Sequence, residues 1–582
     1  MTDTTSKRET LKEIKGISKW VPGIAAIRNY KSAWLRQDIV AAIILAALLI
    51  PQGMAYAELA GLPAITGLYT TVICMLAYAM FGPSPYLVLG PDSSLGPIIA
   101  AIILPLAMGN TDTAIALAGM LAVIVGLISI GAGLAKFGFI ADLLSKPVRL
   151  GYMAGLSVTI VVGQLPKMFG FSIEGGNLFL DMRDFFQNIS QTNIWALSIG
   201  FLSLIIILGL KKWAPRIPGI LVAVVVTILL SSFLDLGAKD VSIVGVLPQG
   251  FPMPSFPKVE LTQLPLLIGG AFGIVLVTIG DTISVSAAFA AKRGTEVDSN
   301  QEIFGIGAAN FFSGLFQGFP VSTSSSRTAV ADQAGAKSQL TGIASAVLVL
   351  LMLLFLPWLV QNLTMSVLAS VIIVSAIGLI EIPALRRLYA ARKSEFGIAV
   401  ACFLGVAFIG VLEGIVIAVL LSILQMFIRA WNPKHFVLGR PKEIEGFHDV
   451  IRHPDAEQIP GMVMIRWDAP LFFANANIFR DFVRDLIIKT EPTPYWVVIA
   501  AEPITDVDTT AADMLVELDN ELNADGIHLV FAELQDVVKD KIKRYGLYDT
   551  IDRRHFYHTL DEAVEEFEKS YQQMLENEAK KE

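Results

Sequence analysis

Charge, cysteine and histidine are all scarce in this chain, and each shortage excludes something. Only 16% of the 582 residues are charged against 54% hydrophobic, whereas a soluble chain carries about a quarter charged residues. A purely soluble fold is excluded. The two cysteines, Cys74 and Cys402, sit in separate apolar segments, so a disulfide framework is unsupported and both read as small packing residues. All six histidines (His435, His448, His453, His528, His555 and His558) lie in the carboxyl-terminal part. The long apolar part therefore has no histidine for a metal or a proton relay. No Gly-Lys-Ser/Thr phosphate loop occurs, which argues against ATP drive within this chain. The first 36 residues lack the short apolar core of a cleavable signal peptide, so insertion is expected to rely on the first spanning segment, near Asp38.

What the chain has instead is apolar blocks of bilayer-crossing length. They fall near 38–60, 64–82, 93–108, 113–135, 147–165, 194–210, 216–235, 265–290, 302–317, 326–336, 339–360, 364–382, 395–411 and 413–430. That predicts fourteen passes, two of them too short to span alone. Loop charge orients them. On one side lie Lys136, Lys146, Arg149, Lys211, Lys212, Arg216, Lys292, Arg293, Lys337, Arg386, Arg387, Arg392 and Lys393; on the other only Lys167, Arg183, Lys239 and Lys258. Both termini are expected in the cytoplasm, at the plasma or inner membrane.

From Pro433 onward the pattern changes. This part carries 17 Lys and Arg against 30 Asp and Glu, a balance of −13 that leaves +5 for the rest of a chain whose net charge is −8. An acidic tail argues against nucleic-acid binding. Strand-like runs at Gly461–Trp467, Trp496–Ala500 and His528–Ala532 alternate with amphipathic stretches at Ile478–Thr490, Thr509–Ala524, Asp536–Tyr545 and Leu560–Leu575. Such alternation predicts a small α/β domain. The charged end, from Asp561, reads as a solvated helix end or a frayed tail. The expected boundaries are a cytoplasmic segment 1–37, a membrane domain 38–432 (halves 38–235 and 265–430), an α/β domain 437–570 and a tail 571–582.

The two short passes point to function. Segment 3 follows Gly90-Pro91-Asp92-Ser93-Ser94, and segment 10 follows Ser322-Thr323-Ser324-Ser325-Ser326-Arg327. They occupy the third place in each set of seven. Broken helices at corresponding places in two halves mark the midplane site of a secondary transporter. A buried arginine is costly in a bilayer and is kept for a bundle interior or a watery cavity. Hydroxyls beside it, at a helix start, suit a small anion; the bland alternative is a loop arginine snorkelling to the interface. Segment 1 adds Gln52 and Tyr56, four apart and so on one helix face that could wall a binding pocket; the alternative is a Pro51-kinked helix that packs Tyr56 in the bundle. Glu58, near that segment's end, is expected to face water or a loop partner. Segment 8 adds Asp281 and Ser284. An acid there must be protonated, paired with Arg327 or bound to a cation, which makes Asp281 a candidate for H⁺ or Na⁺ coupling. Asp92 is expected to cap segment 3, leaving the amides of Ser93 and Ser94 toward substrate.

The stretches Leu49–Ala57, Leu62–Tyr69, Gly90–Ser94 and Ser324–Val330 together resemble the SulP family of anion transporters, the sulfate permease and mammalian anion-exchanger group. The carboxyl domain resembles a STAS domain, with Ile504–Ala511 as its strand-to-helix turn. The resemblance implies a seven-plus-seven inverted repeat with core and gate domains, elevator-like alternating access and a homodimer. It implies substrate between the opposed amino ends of segments 3 and 10, held by Gln52, Tyr56, Ser93, Ser94, Ser324, Ser325, Ser326 and Arg327. Asp281, where many relatives carry Glu, would serve ion coupling with Ser284. Thr509 matches a position phosphorylated in some soluble STAS relatives, the alternative being a helix-capping threonine; the domain would then engage a cytoplasmic partner. No cofactor is implied beyond a coupling H⁺ or Na⁺, and no enzyme activity. The expected function is secondary transport of bicarbonate, sulfate, chloride or a dicarboxylate. An anion exchanger or a passive channel of the same fold is the alternative.

Overall fold

The computed structural model describes residues 20–138, 145–173, 178–214 and 217–579. The first 19 residues, Arg216 and the end of the charged tail lie outside the described residues. Contacts divide the chain into two units, one ending at Ser422 and one beginning at Ile423.

From Leu35 to Trp431 each expected apolar block holds a helix. In chain order these are α1 (Leu35–Leu59), α2 (Ala64–Phe81), α3 (Gly96–Ala107), α4 (Thr111–Leu134), α5 (Lys146–Phe169), α6 (Ile194–Trp213) and α7 (Gly219–Leu234). Then follow α8 (Leu264–Arg293), α9 (Ser299–Leu315), α10 (Ser325–Gln333), α11 (Leu340–Phe355), α12 (Met365–Ile377), α13 (Lys393–Leu404) and α14 (Val411–Trp431). Among the described residues eight helical stretches are long and apolar enough to cross a bilayer; α3, α7 and α11 are apolar but shorter. Local chemistry sets the ends. Pro147 and Pro265 open α5 and α8 in the first turn, where a missing N–H costs nothing. Asn110, Asn193 and Asp298 cap α4, α6 and α9 through their side chains.

The helices pack in two groups. Helices α1, α2 and α11 associate; α9 packs on α2 and α4; α3 and α8 pack on each other and on α4, and α10 on α1. The second group joins α5 to α12 and α13, and α6 to α7 and α12. Helices α7 and α12 also touch α1, which stands between the groups. The α1–α2 crossing is very close: a Cβ on Gly67 would lie 1.9 Å from Gly53 O. Only glycine at Gly67 lets the two backbones meet there, and this approach sets the helix that carries Gln52 and Tyr56.

Between these helices a short antiparallel pair, β1 (Leu89–Gly90) with β2 (Ser322–Thr323), ties the two broken segments together. Extended backbone at this depth needs internal hydrogen-bond partners. Asn310 on α9 supplies two of them, accepting from Val321 N–H at 2.8 Å and donating to Val321 O at 3.1 Å. Ser324 N–H donates to Val88 O at 3.2 Å, and Val88 N–H to Thr328 Oγ1 at 3.1 Å.

The second unit has a six-stranded sheet in the order β4-β3-β5-β6-β7-β8, formed by His435–Gly439 (β3), His448–Asp449 (β4), Met462–Trp467 (β5), Trp496–Ala500 (β6), His528–Ala532 (β7) and Phe556–Tyr557 (β8). Strands β5 to β8 are parallel and β3 and β4 antiparallel. The three central strands fall where alternation predicted them; β3, β4 and β8 are short or half-buried and lack that pattern. Helices α15 (Ala476–Lys489), α16 (Thr509–Ala524) and α17 (Asp536–Arg544) share one core with the sheet. Helix α18 (Leu560–Ala579) covers the other face with Ala563, Val564 and Phe567. The charged end therefore begins as a packed helix, correcting the expectation of a merely solvated one. Its apolar positions recur at helical spacing among the acids.

Candidate functional site

The first unit encloses a cavity of about 580 Å³ reached by both helix groups. Its wall includes Gln52 and Tyr56 from α1, Asp92, Ser93 and Ser94 before α3, Asp281 and Ser284 from α8, and Thr323 to Ser326 at the start of α10. From the second group it takes Arg149 and Met153 of α5, Lys211 of α6, Gly219 and Ile220 of α7, and Val374 and Ser375 of α12. Every sequence-predicted substrate or coupling residue except Arg327 lines this one space. Gln52 and Tyr56 are both 5% exposed, and the Gln52 amide oxygen has no hydrogen-bond partner. That oxygen is thus available to a hydrogen-bond donor such as water.

Arg327 sits off the wall. It is 1% exposed, and Nε, Nη1 and Nη2 all lack hydrogen-bond partners. A Cβ on Gly90 would lie 2.6 Å from Nη1, so the guanidinium occupies the room that glycine leaves. Its nearest acid is Asp92, Oδ2 to Nη2 at 3.5 Å. The open alternative of an Asp281–Arg327 pair is overturned: the pair forms with Asp92, at the start of the opposite broken helix. The Asp92 Oδ1 also accepts from Ser94 N–H at 3.0 Å and Ser94 Oγ at 2.8 Å. That corrects the expectation for Ser94, whose amide is committed to Asp92. Its turn closes ahead of α3, whose helix starts only at Gly96.

At α10 the cap is Ser324, whose Oγ accepts from Arg327 N–H at 3.4 Å and lies 3.1 Å from Ser326 Oγ. Ser325 and Ser326 are exposed to the cavity. The arrangement offers an anion the hydroxyls of Ser93, Ser325 and Ser326, the positive end of α10, and the field of a cation held just behind them, the Ser94 O–H being donated to Asp92. Thr282 Oγ1 lies 3.0 Å from Thr323 Oγ1 and fixes α8 to β2.

Two cations counted as loop charges belong to this space. Arg149 lies in the first turn of α5 and donates from Nη1 to Ser284 Oγ at 2.7 Å; Lys211 also lines the cavity. Pro147, a helix-opening residue two positions before Arg149, was the available signal that Arg149 lies inside the helix and not in a loop. Glu58 pairs with Lys167 at 3.5 Å, joining α1 to α5, as its expected loop-side position allows. In the second unit Thr509 is exposed at the first position of α16, and the cap is Asp508, whose Oδ1 accepts from Ala511 N–H at 2.8 Å. The capping role considered for Thr509 is therefore taken by its neighbour.

The sulfate permease family profile matches residues 35–402 and the STAS domain profile residues 453–563. A probable sulfate transporter of Mycobacterium tuberculosis is 38% identical over 549 residues, covering 94% of this chain and 98% of that one. The chloroplastic sulfate transporter 4.1 of Arabidopsis thaliana is 27% identical over 96% of this chain and 84% of its own. In fold, the murine solute carrier 26 family member A9 anion transporter, solved in the inward-facing state, superposes with a TM-score of 0.86 at 24% identity, over 96% of each chain. The transmembrane domain of a cyanobacterial bicarbonate transporter superposes at 0.59 and 24% identity, over 68% of this chain and 98% of that one.

Proposed function

Because the chain belongs to the sulfate permease family, we propose that it is a secondary active transporter of a small oxyanion, with sulfate the first to test. The observation that carries this reading is the cavity whose polar wall combines the Ser93, Ser325 and Ser326 hydroxyls with the buried, under-bonded Arg327 behind them. A buried guanidinium with unmet donors gains from a nearby anion. Gln52 supplies an amide to orient it and Tyr56 an aromatic wall.

The division of labour around the cavity supports a reading of alternating access. Helices α1, α8 and α10 and the turn before α3 bring the proposed substrate and coupling groups, and α5, α6, α7 and α12 bring the opposing wall. Elevator-like displacement of the first group against the second would carry the anion with its site. The seven-plus-seven repeat, the fourteen crossings, the cytoplasmic termini and a homodimer are part of this proposal. Asp281 is the coupling acid, with H⁺ or Na⁺ as the co-transported cation and Ser284 one turn along the same helix. Thr509 is exposed on the STAS unit and is proposed as a regulatory phosphosite facing a cytoplasmic partner.

The test is uptake into proteoliposomes of labelled sulfate, bicarbonate, chloride and a dicarboxylate under imposed pH and Na⁺ gradients. Accumulation against an anion gradient supports the carrier. Flux that only equilibrates, or that needs a counter-anion, favours the channel or exchanger.

A further inference from the structure

Two pairs of side chains, one from each helix group, face each other beside the cavity. Helix α8 presents Asp281 and Ser284 one turn apart; α5 presents Arg149 and Tyr152 one turn apart. Arg149 Nη1 bridges the groups at 2.7 Å from Ser284 Oγ. Tyr152 is 4% exposed, and its hydroxyl has no hydrogen-bond partner. Among the described residues Asp281 has neither an ion pair nor a hydrogen bond. Asp92, from before α3, and Arg149 share the cavity wall with it, and Arg149 is tied to Ser284, one turn along the same helix. Lys211, Glu381 and Tyr56 share the cavity wall. A carboxylate so placed requires a compensating cation in each conformation that keeps it ionised.

We propose that Arg149 is the exchangeable counter-charge of Asp281: it offsets the α8 acid in the conformation described, and a cation from solution takes its place when α5 and α8 separate. The return of Arg149 then expels that cation on the side to which this cavity opens. Ser284 is the anchor that holds the guanidinium one turn from the acid. Coupling thus has a built-in release step, driven by a charge carried on the opposing wall. This rests on the reading of Asp281 as the coupling acid.

The experiment measures Na⁺-dependent thermal stabilisation of the full chain in detergent, with choline holding ionic strength constant, and Na⁺-dependent sulfate uptake in proteoliposomes. Both are repeated against pH, so that a proton in place of Na⁺ is read by the same variants. With its competing charge removed, Arg149→Gln is expected to lower the half-saturating Na⁺ about tenfold. Ser284→Ala should move it the same way by less, Arg149→Lys should restore it toward the unaltered protein, and Asp281→Asn should abolish the cation effect. Arg149→Gln and Ser284→Ala that leave the midpoint in place, while Asp281→Asn removes the effect, overturn this inference alone. A cation effect that survives Asp281→Asn, or none in the unaltered protein, overturns the coupling reading and this inference with it.

Discussion

The Arg327 guanidinium stands 3.5 Å from the Asp92 carboxylate, so the cation of one broken helix is paired with the acid that precedes the other. The contact spans the β1–β2 pair and gives the buried arginine an acidic neighbour. Asp92 also accepts two hydrogen bonds from Ser94, which leaves its charge shared. Arg327 retains three nitrogens without hydrogen-bond partners.

Arg327→Ala should therefore weaken sulfate uptake by about two orders of magnitude or more, the scale expected on losing a buried charge-assisted contact and stranding Asp92. Arg327→Lys should not rescue it, because a compact point charge on a flexible stem cannot fill the planar space beside Gly90. Initial uptake rates over a range of sulfate concentrations separate the two. Uptake unchanged in Arg327→Ala would sink the site assignment.

Gly90→Ala tests the same packing from the other side. Its new Cβ would sit 2.6 Å from Arg327 Nη1, closer than nonbonded atoms approach, so the guanidinium must move. The expected outcome is impaired sulfate transport with near-normal expression and detergent stability, read by uptake alongside size-exclusion chromatography. Normal transport would show that the position of Arg327 is not critical.

Asp281→Asn should leave anion binding detectable while removing dependence on the coupling cation, since the amide keeps the shape and discards the charge. Sulfate binding by the purified protein, paired with uptake under Na⁺ and pH gradients, provides the check. Persistent cation dependence would exclude Asp281 as the coupling residue.

In the STAS unit, burial pushes the Asp519 carboxyl up to about 6, with an opposing hydrogen bond from Asn523 at 2.9 Å. A folded-state value above the unfolded one means that the native domain binds the proton more tightly. The associated stability is fully present below pH 4 and is lost as pH rises through 6. Asp519→Asn should therefore stabilise residues 433–582 at pH 7.5 by up to about 3 kcal/mol, at roughly 1.4 kcal/mol per pKa unit, and have little effect at pH 4. Urea unfolding at both pH values measures the difference; equal effects would assign the change to packing.

Thr509→Glu adds a negative charge at the first turn of α16, where the helix dipole favours it. The domain should stay folded, with a melting temperature equal to or slightly above that of the unaltered chain. Changed sulfate uptake with unchanged stability would support a regulatory phosphosite; unchanged uptake would argue against it.

Hydropathy and turn chemistry already place the membrane helices, because apolar blocks of this length and the proline and Asn/Asp signals at their ends act locally. The same holds for the central STAS strands and helices, whose alternation is written in adjacent residues. Gln52 with Tyr56 and the serine run before Arg327 were legible for the same reason: helix periodicity and an unusual local cluster reveal them. Partner choice was not. Arg327 with Asp92, Arg149 with Ser284 and Lys167 with Glu58 join residues 109 to 235 positions apart, and charge alone allowed Arg327 to pair equally with Asp281. What decided was packing. The Gly67 approach, the β1–β2 crossing and the Asn310 clamp fix where each helix starts, and at a few ångströms that placement determines which opposite charge is in reach.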